Sequence, residues 1–154
     1  MDIEKLIDNV RVKCKSHGKT LTPKRKTVLY ALLHADKALS AYEIVDYCTQ
    51  ELGEPIQAMS VYRALEFLEG EHLVHKLKVS NKFIVCSHIE CDHEHGIPQF
   101  LICSRCNKIS EQTVDPDTFS GLQTDARQDG FTVMQPQLEI NCLCDDCFQA
   151  EKKS

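Results

Sequence analysis

Two cysteine pairs, Cys103-Ser104-Arg105-Cys106 and Cys144-Asp145-Asp146-Cys147, carry the clearest chemical signal in this chain. A Cys-x-x-Cys turn aims two thiolates to one side, and two such turns supply the tetrahedral donor set that takes zinc at about 2.3 Å. Thioredoxin-type redox chemistry needs one such motif at a helix start, with an acidified thiol, rather than two separated pairs. Cys142 stands two residues before Cys144 and reads instead as a packed thiol of a strand over 138–143. A looser group holds His75, Cys86, His88, Cys91, His93, His95 and Glu111. A metal held jointly from a hairpin, a polar stretch over 87–98 and the C-terminal part would fix the angle between two domains, which is a sensing geometry. The plain alternative is a solvated, His-rich linker. One thiolate among imidazole and carboxylate donors suits Zn(II) better than a hard ion such as Mn(II).

The elements that must position these groups change character along the chain. Ile3, Leu6, Ile7, Val10 and Val12 fall near helical spacing over 3–16. Thr22-Pro23 supplies a cap and a first-turn proline for a helix through Val28, Leu29, Leu32 and Leu33. Ser40-Ala41-Tyr42-Glu43 has the form of a capping box opening a third helix over about 41–52, ended by Gly53 and Pro55. Ser60 reads as the cap of a fourth helix that stops at Gly70. The period then shortens: 72–79 and 82–86 alternate as strands about Ser80-Asn81, a hairpin. Short helices followed by a hairpin are the layout of a winged helix-turn-helix, whose last helix enters the DNA major groove. Its N-terminal turn would present Ser60, Tyr62 and Arg63, and an arginine fork fits a guanine edge or a phosphate.

Charge and composition sort the remaining possibilities. The 154 residues carry a net charge of -5, nine Cys and no Trp. That sum hides a split: residues 1–85 hold 13 Lys+Arg against 11 Asp+Glu, whereas 86–154 hold 5 against 12. The run Arg11, Lys13, Lys15, Lys19, Lys24, Arg25, Lys26 contains no acid. A mildly basic N-terminal domain therefore precedes an acidic one rich in cysteine, and the acidic total does not argue against nucleic acid. No apolar run reaches the length of a membrane span and the N-terminus has no signal-like segment, so a cytoplasmic protein is expected. Disulfides are rare in that compartment, which leaves metal as the leading use of the cysteines.

Several segments carry a family resemblance over nearly the whole chain: LTPKRKTVL (21–29), SAYEIVD (40–46), SVYRALEFL (60–68), VHK and FIVC (74–76, 83–86) and FLICSRCNKISE (100–111). The chain resembles the ferric uptake regulator family, and SAYEIVD with the cysteine ending the hairpin points to its zinc-uptake branch. The resemblance implies an α+β protein with three parts: a winged helix-turn-helix DNA-binding domain over 1–86, a hinge over 87–98, and an α/β dimerisation and zinc-binding domain over 99–154. In the last, strands are expected near 99–103, 108–114 and 131–141, with a helix over 116–129. It implies two zinc ions per chain: a structural one on Cys103, Cys106, Cys144 and Cys147, and a regulatory one on His75, Cys86, His95 and Glu111. The segment from His95 to Cys103 is one residue longer than the pattern, so His93 or Cys91 competes for that place. DNA contacts would come from Tyr42 and Arg63, with Tyr62 and the basic residues at 24–26 near phosphates.

The expected protein is a homodimeric, zinc-responsive repressor of zinc-uptake genes. It binds a double-stranded DNA operator and has no catalytic residues, small-molecule substrate or membrane partner. A family member sensing iron, manganese, nickel or peroxide is the first rival, and a zinc-stabilised thiol redox protein the second. Cys14, Cys48, Cys91 and Cys142 have no assigned task.

Overall fold

Asp2 opens the first helix by accepting the Lys5 N–H at 3.2 Å, and α1 runs Ile3–Ser16. Leu6, Ile7, Val10 and Cys14 form its buried face, whereas Val12 is 68% exposed. At 100° per residue Val12 falls on the outer side, so it is not a core residue despite its place in the apolar series. Thr22 caps α2 (Pro23–Ala35), and Ser40 and Glu43 form the reciprocal capping box of α3 (Ala41–Gln50). These starts follow from hydroxyl and carboxylate groups satisfying amides that have no partner within the helix.

The fourth helix departs from the expected start. α4 spans Ala58–Gly70 after Gln57, which makes no side-chain cap, and Val61 N–H closes the first turn on the Gln57 carbonyl at 3.1 Å. Ser60 is therefore not the cap. Its hydroxyl, inside the first turn, accepts from Lys24 Nζ at 3.3 Å. The chain leaves α4 through His72, which sits in the left-handed region at φ 60. The hairpin strands are accordingly shorter than their alternation suggests: β1 is Val74–Leu77 and β2 Lys82–Val85, antiparallel with Val74 opposite Val85. Leu39 and Phe83 exchange hydrogen bonds at 3.0 and 2.8 Å, tying the hairpin to the α2–α3 connection. Helices α1–α4 and this wing enclose one core that includes Ile7, Val28, Leu29, Ile44, Val61, Leu65 and Leu68.

The computed structural model describes residues 2–89, 96–134 and 136–152. The chain divides into two units, 1–92 and 93–154. In the second, β3 (Pro98–Cys103) lies between antiparallel β4 (Ile109–Thr113) and parallel β5 (Leu138–Cys142). The parallel pair needs a crossover, supplied by α5 (Pro116–Gln128). A further helix, α6 (Asp145–Lys152), ends the described chain and was not expected from sequence. Among the described residues of this unit only Phe100, Cys103, Val114 and Phe119 are buried apolar side chains. The architecture is α+β: a winged helix-turn-helix followed by a small α/β unit. Among the described residues no helix is long and apolar enough to cross a membrane.

Candidate metal centre and exposed helix face

The first cysteine pair sits on a tight turn. Cys103 ends β3, its N–H bonds the Lys108 carbonyl at 2.9 Å, and Asn107 N–H returns to the Cys103 carbonyl at 3.0 Å. Asn107 takes the left-handed conformation that closes the turn, φ 63, which asparagine tolerates better than most residues. The turn is fastened to the end of β5: Ser104 donates to the Cys142 carbonyl through its N–H at 3.0 Å and its hydroxyl at 3.3 Å. The second pair is not on a turn. Cys144 immediately precedes α6, and Cys147 lies in that helix's first turn. A lone Cys-x-x-Cys at a helix start would read as a redox motif, but here all four sulfurs converge.

The four ligand atoms of Cys103, Cys106, Cys144 and Cys147 lie within 4.8 Å of one another, with Cys106 Sγ and Cys144 Sγ 3.7 Å apart. Sulfurs bound at about 2.3 Å to one tetrahedral zinc would be about 3.8 Å apart, so the cluster has the dimensions of a four-thiolate site. Its electrostatics favour a cation. The N–H groups of Cys106 and Cys144 point at Cys103 Sγ and lower its pKa to about 6, the Cys144 bond measuring 3.4 Å. Cys147, whose thiol shares its proton with Cys144 amid three other sulfurs, is pushed up to about 12. Four sulfurs this close cannot all ionise unless a divalent ion offsets their repulsion. Cys142 stays outside the cluster: its sulfur turns to the Ile140 carbonyl at 3.5 Å, although its Cα pairs with Cys103 across β3 and β5.

In the N-terminal unit, His75 lies on β1 opposite Ile84. Cys86 follows β2 and extends the ladder through its N–H to the Leu73 carbonyl at 2.9 Å. Both therefore stand on one face of the wing, and a His75 ring nitrogen lies within 4.8 Å of Cys86 Sγ. Cys86 is buried and His75 half-buried. Glu111 is in the other unit, on β4 opposite Phe100, and is half-buried. His95, His93 and Cys91 lie outside the described residues.

The candidate nucleic-acid residues sit at helix starts. Tyr42, the second residue of α3, is 67% exposed, and Tyr62 and Arg63 project from α4 while Val61, Ala64, Leu65 and Leu68 turn inward. The three basic residues at 24–26 separate into different roles. Arg25 stacks 3.8 Å over the Phe67 ring and donates to the Thr20 carbonyl at 2.8 Å, so it braces α2 against α4. Lys24 is the residue held beside α4, through Ser60. Lys26 stands 4.0 Å from the Glu4 carboxylate. The sequence alone does not separate these three, because their contacts include residues distant along the chain.

A winged helix-turn-helix and an α/β unit that carries a four-cysteine cluster define a metal-binding winged-helix protein. The sequence model of the Ferric uptake regulator family matches residues 16–141, and the chain belongs to that family. It is 31% identical over 138 residues to the zinc uptake regulation protein of Escherichia coli (strain K12), covering 90% of this chain and 78% of that protein. A zinc uptake regulator solved in complex with zinc and DNA superposes with a TM-score of 0.84 at 27% identity, covering 99% of each chain. The holo form of XcZur gives a TM-score of 0.78 at 34% identity, over 94% of this chain and 98% of that one.

Proposed function

We propose that this protein is a zinc-responsive transcriptional repressor of zinc-uptake genes, binding a double-stranded DNA operator as a homodimer. The observation that carries this reading is the likeness, over 99% of both chains, to a zinc uptake regulator held with zinc and DNA. The residues fit that role. Cys103, Cys106, Cys144 and Cys147 would hold a structural zinc, and His75, Cys86 and Glu111 with His95, or His93 in its place, a regulatory one, two ions per chain. Residues 1–86 would form the DNA-binding domain, 87–98 the hinge and 99–154 the dimerisation domain. Leu122, Phe131, Val133, Met134 and Ile140, all exposed on the C-terminal unit, support dimerisation, since a unit with so little buried apolar surface gains stability by covering them.

A zinc ion at the second site would be held by an imidazole, a thiolate and a carboxylate and would supply a Lewis-acidic centre there. His75 and Cys86 contribute preset donors from the wing, and Glu111 contributes a carboxylate from β4. If zinc binding and operator binding favour the same conformer, the two affinities are reciprocally coupled, ordinarily by about 1–3 kcal/mol. Arg63, Tyr62 and Tyr42 meet DNA directly, and Lys24 stands beside α4 where a phosphate strand would pass.

The test is metal content per chain measured alongside a zinc titration of DNA binding. Two zincs per chain, one resisting chelator, with operator affinity rising as the second fills, is the expected result. Operator affinity that is flat across the zinc titration refutes the proposal.

A further inference from the structure

We infer that Met59 is a base-reading residue of this repressor and that it recognises the 5-methyl group of a thymine in the major groove. The inference rests on the DNA-binding function proposed above and deepens it. Met59 is the second residue of α4 and is 61% exposed. Single exposed apolar side chains are ordinary on a protein surface and usually scatter. Here they do not scatter. Of the five exposed large apolar residues in the described N-terminal unit, three are Tyr42, Met59 and Tyr62, all within the first two turns of α3 or α4.

Helical spacing places Met59, Tyr62, Arg63 and Glu66 on one stripe, at i, i+3, i+4 and i+7. All four are exposed, while Val61, Ala64, Leu65 and Leu68 fill the opposite face. The stripe begins at the end of the helix that a helix-turn-helix inserts into the major groove. Lys24 is hydrogen-bonded at 3.3 Å to Ser60, the residue after Met59, so a cation borders this turn and draws it to a polyanion. Within the stripe each side chain has a different complement on a base edge. Arg63 suits guanine O6 and N7, whereas the only apolar group a base pair presents in the major groove is the thymine methyl. Met59 is the apolar member of the stripe, and its unbranched, polarisable chain adapts to such a contact.

The test begins with duplexes enriched from a random pool by the full-length, zinc-loaded protein. Each thymine of the enriched sequence is then replaced singly by deoxyuridine, which removes the 5-methyl group and leaves base pairing intact. The wild type should lose about fourfold in affinity at one or more thymines, the value of burying one methyl group. Met59→Ala should bind the thymine duplex about fourfold more weakly and no longer distinguish thymine from deoxyuridine there. Met59→Leu should keep the distinction. A wild type insensitive to every replacement, or a Met59→Ala protein that retains the full loss, overturns the assignment while leaving the repressor function standing. If zinc enriches no sequence at all, the DNA-binding function itself fails, and the role of Met59 with it.

Discussion

Stripping zinc from the four-cysteine cluster should unfold the C-terminal unit and spare the N-terminal one, and the size of the effect follows from how little else holds the C-terminal unit together. Its buried apolar side chains, among the described residues, are Phe100, Cys103, Val114 and Phe119. At about 1.5–3 kcal/mol for a large buried side chain, they contribute on the order of 7 kcal/mol before conformational entropy is counted. A structural zinc in a small domain contributes about 10–16 kcal/mol at neutral pH, which exceeds both that sum and the net stability of most domains. The N-terminal unit has a core drawn from all four helices and the wing and needs no such staple. The perturbation is Cys147→Ser, which removes the one cysteine of the cluster carried within α6, compared with strong chelation of the unaltered chain. Amide hydrogen exchange reads the two units separately. The Phe100, Leu101 and Ile102 amides of β3 should lose protection by about a thousandfold or more, equivalent to ~4 kcal/mol. The amides of Ile7, Leu29 and Leu65 should change by less than about threefold, within ~0.7 kcal/mol. If β3 stays as protected in the stripped protein as in the loaded one, the cluster is not what stabilises the unit and the reasoning is refuted.

Replacing the wing donors should separate sensing from structure. In His75→Ala or Cys86→Ser, zinc-dependent operator affinity should be lost while the chelator-resistant zinc remains, checked by metal content and fluorescence anisotropy. Leu29→Ala, at a fully buried position of α2, should cost the N-terminal unit about 2–5 kcal/mol in urea denaturation. Ser40→Ala should cost about 1 kcal/mol by removing the α3 cap, and its pH dependence has a definite sign. The Ser40 N–H, donating to the Glu43 carboxylate at 2.9 Å, holds the Glu43 pKa below its ordinary 4.5, with Lys82 assisting. A group depressed by folding contributes its stability above the unfolded value and loses it as pH falls through the folded one. The stability gap between Glu43→Gln and the unaltered protein should thus be full above about pH 4.5 and close below it, which acid titration of the urea midpoint will show; a gap that widens in acid contradicts it.

Interactions confined to a few neighbouring residues could be read directly. The Thr22-Pro23 start and the reciprocal Ser40–Glu43 box come from local hydrogen bonding, whereas the order of strands and helix after Pro98 was implied by the family resemblance. The grouping of the two Cys-x-x-Cys motifs was legible from donor type and spacing, although the second lies at a helix start rather than on a turn. Elsewhere the reading failed. Ser60 has the chemistry of a cap, yet the helix starts two residues earlier at Ala58, which leaves Ser60 inside the first turn with its hydroxyl accepting from Lys24, 36 positions away. A local turn misleads as well: His72 reads as the first residue of a strand, but its N–H closes on the Glu69 carbonyl at 3.0 Å and it takes the left-handed region.

By itself, then, the sequence determined which residues can bind metal or DNA, because donor type and short spacing are properties of the covalent chain. Tertiary structure decided which of them act together. Cys142 and Cys144 are near neighbours in sequence; spacing already favours Cys144, and the fold turns the Cys142 sulfur to the Ile140 carbonyl at 3.5 Å, away from the cluster. Lys24, Arg25 and Lys26 are one basic run in the chain but are separated by the packing of α2 against α4. Met59 is an ordinary apolar residue until the core takes the opposite face of α4 and leaves it in water. Burial and direction are set by the whole fold at once, and no local pattern encodes them.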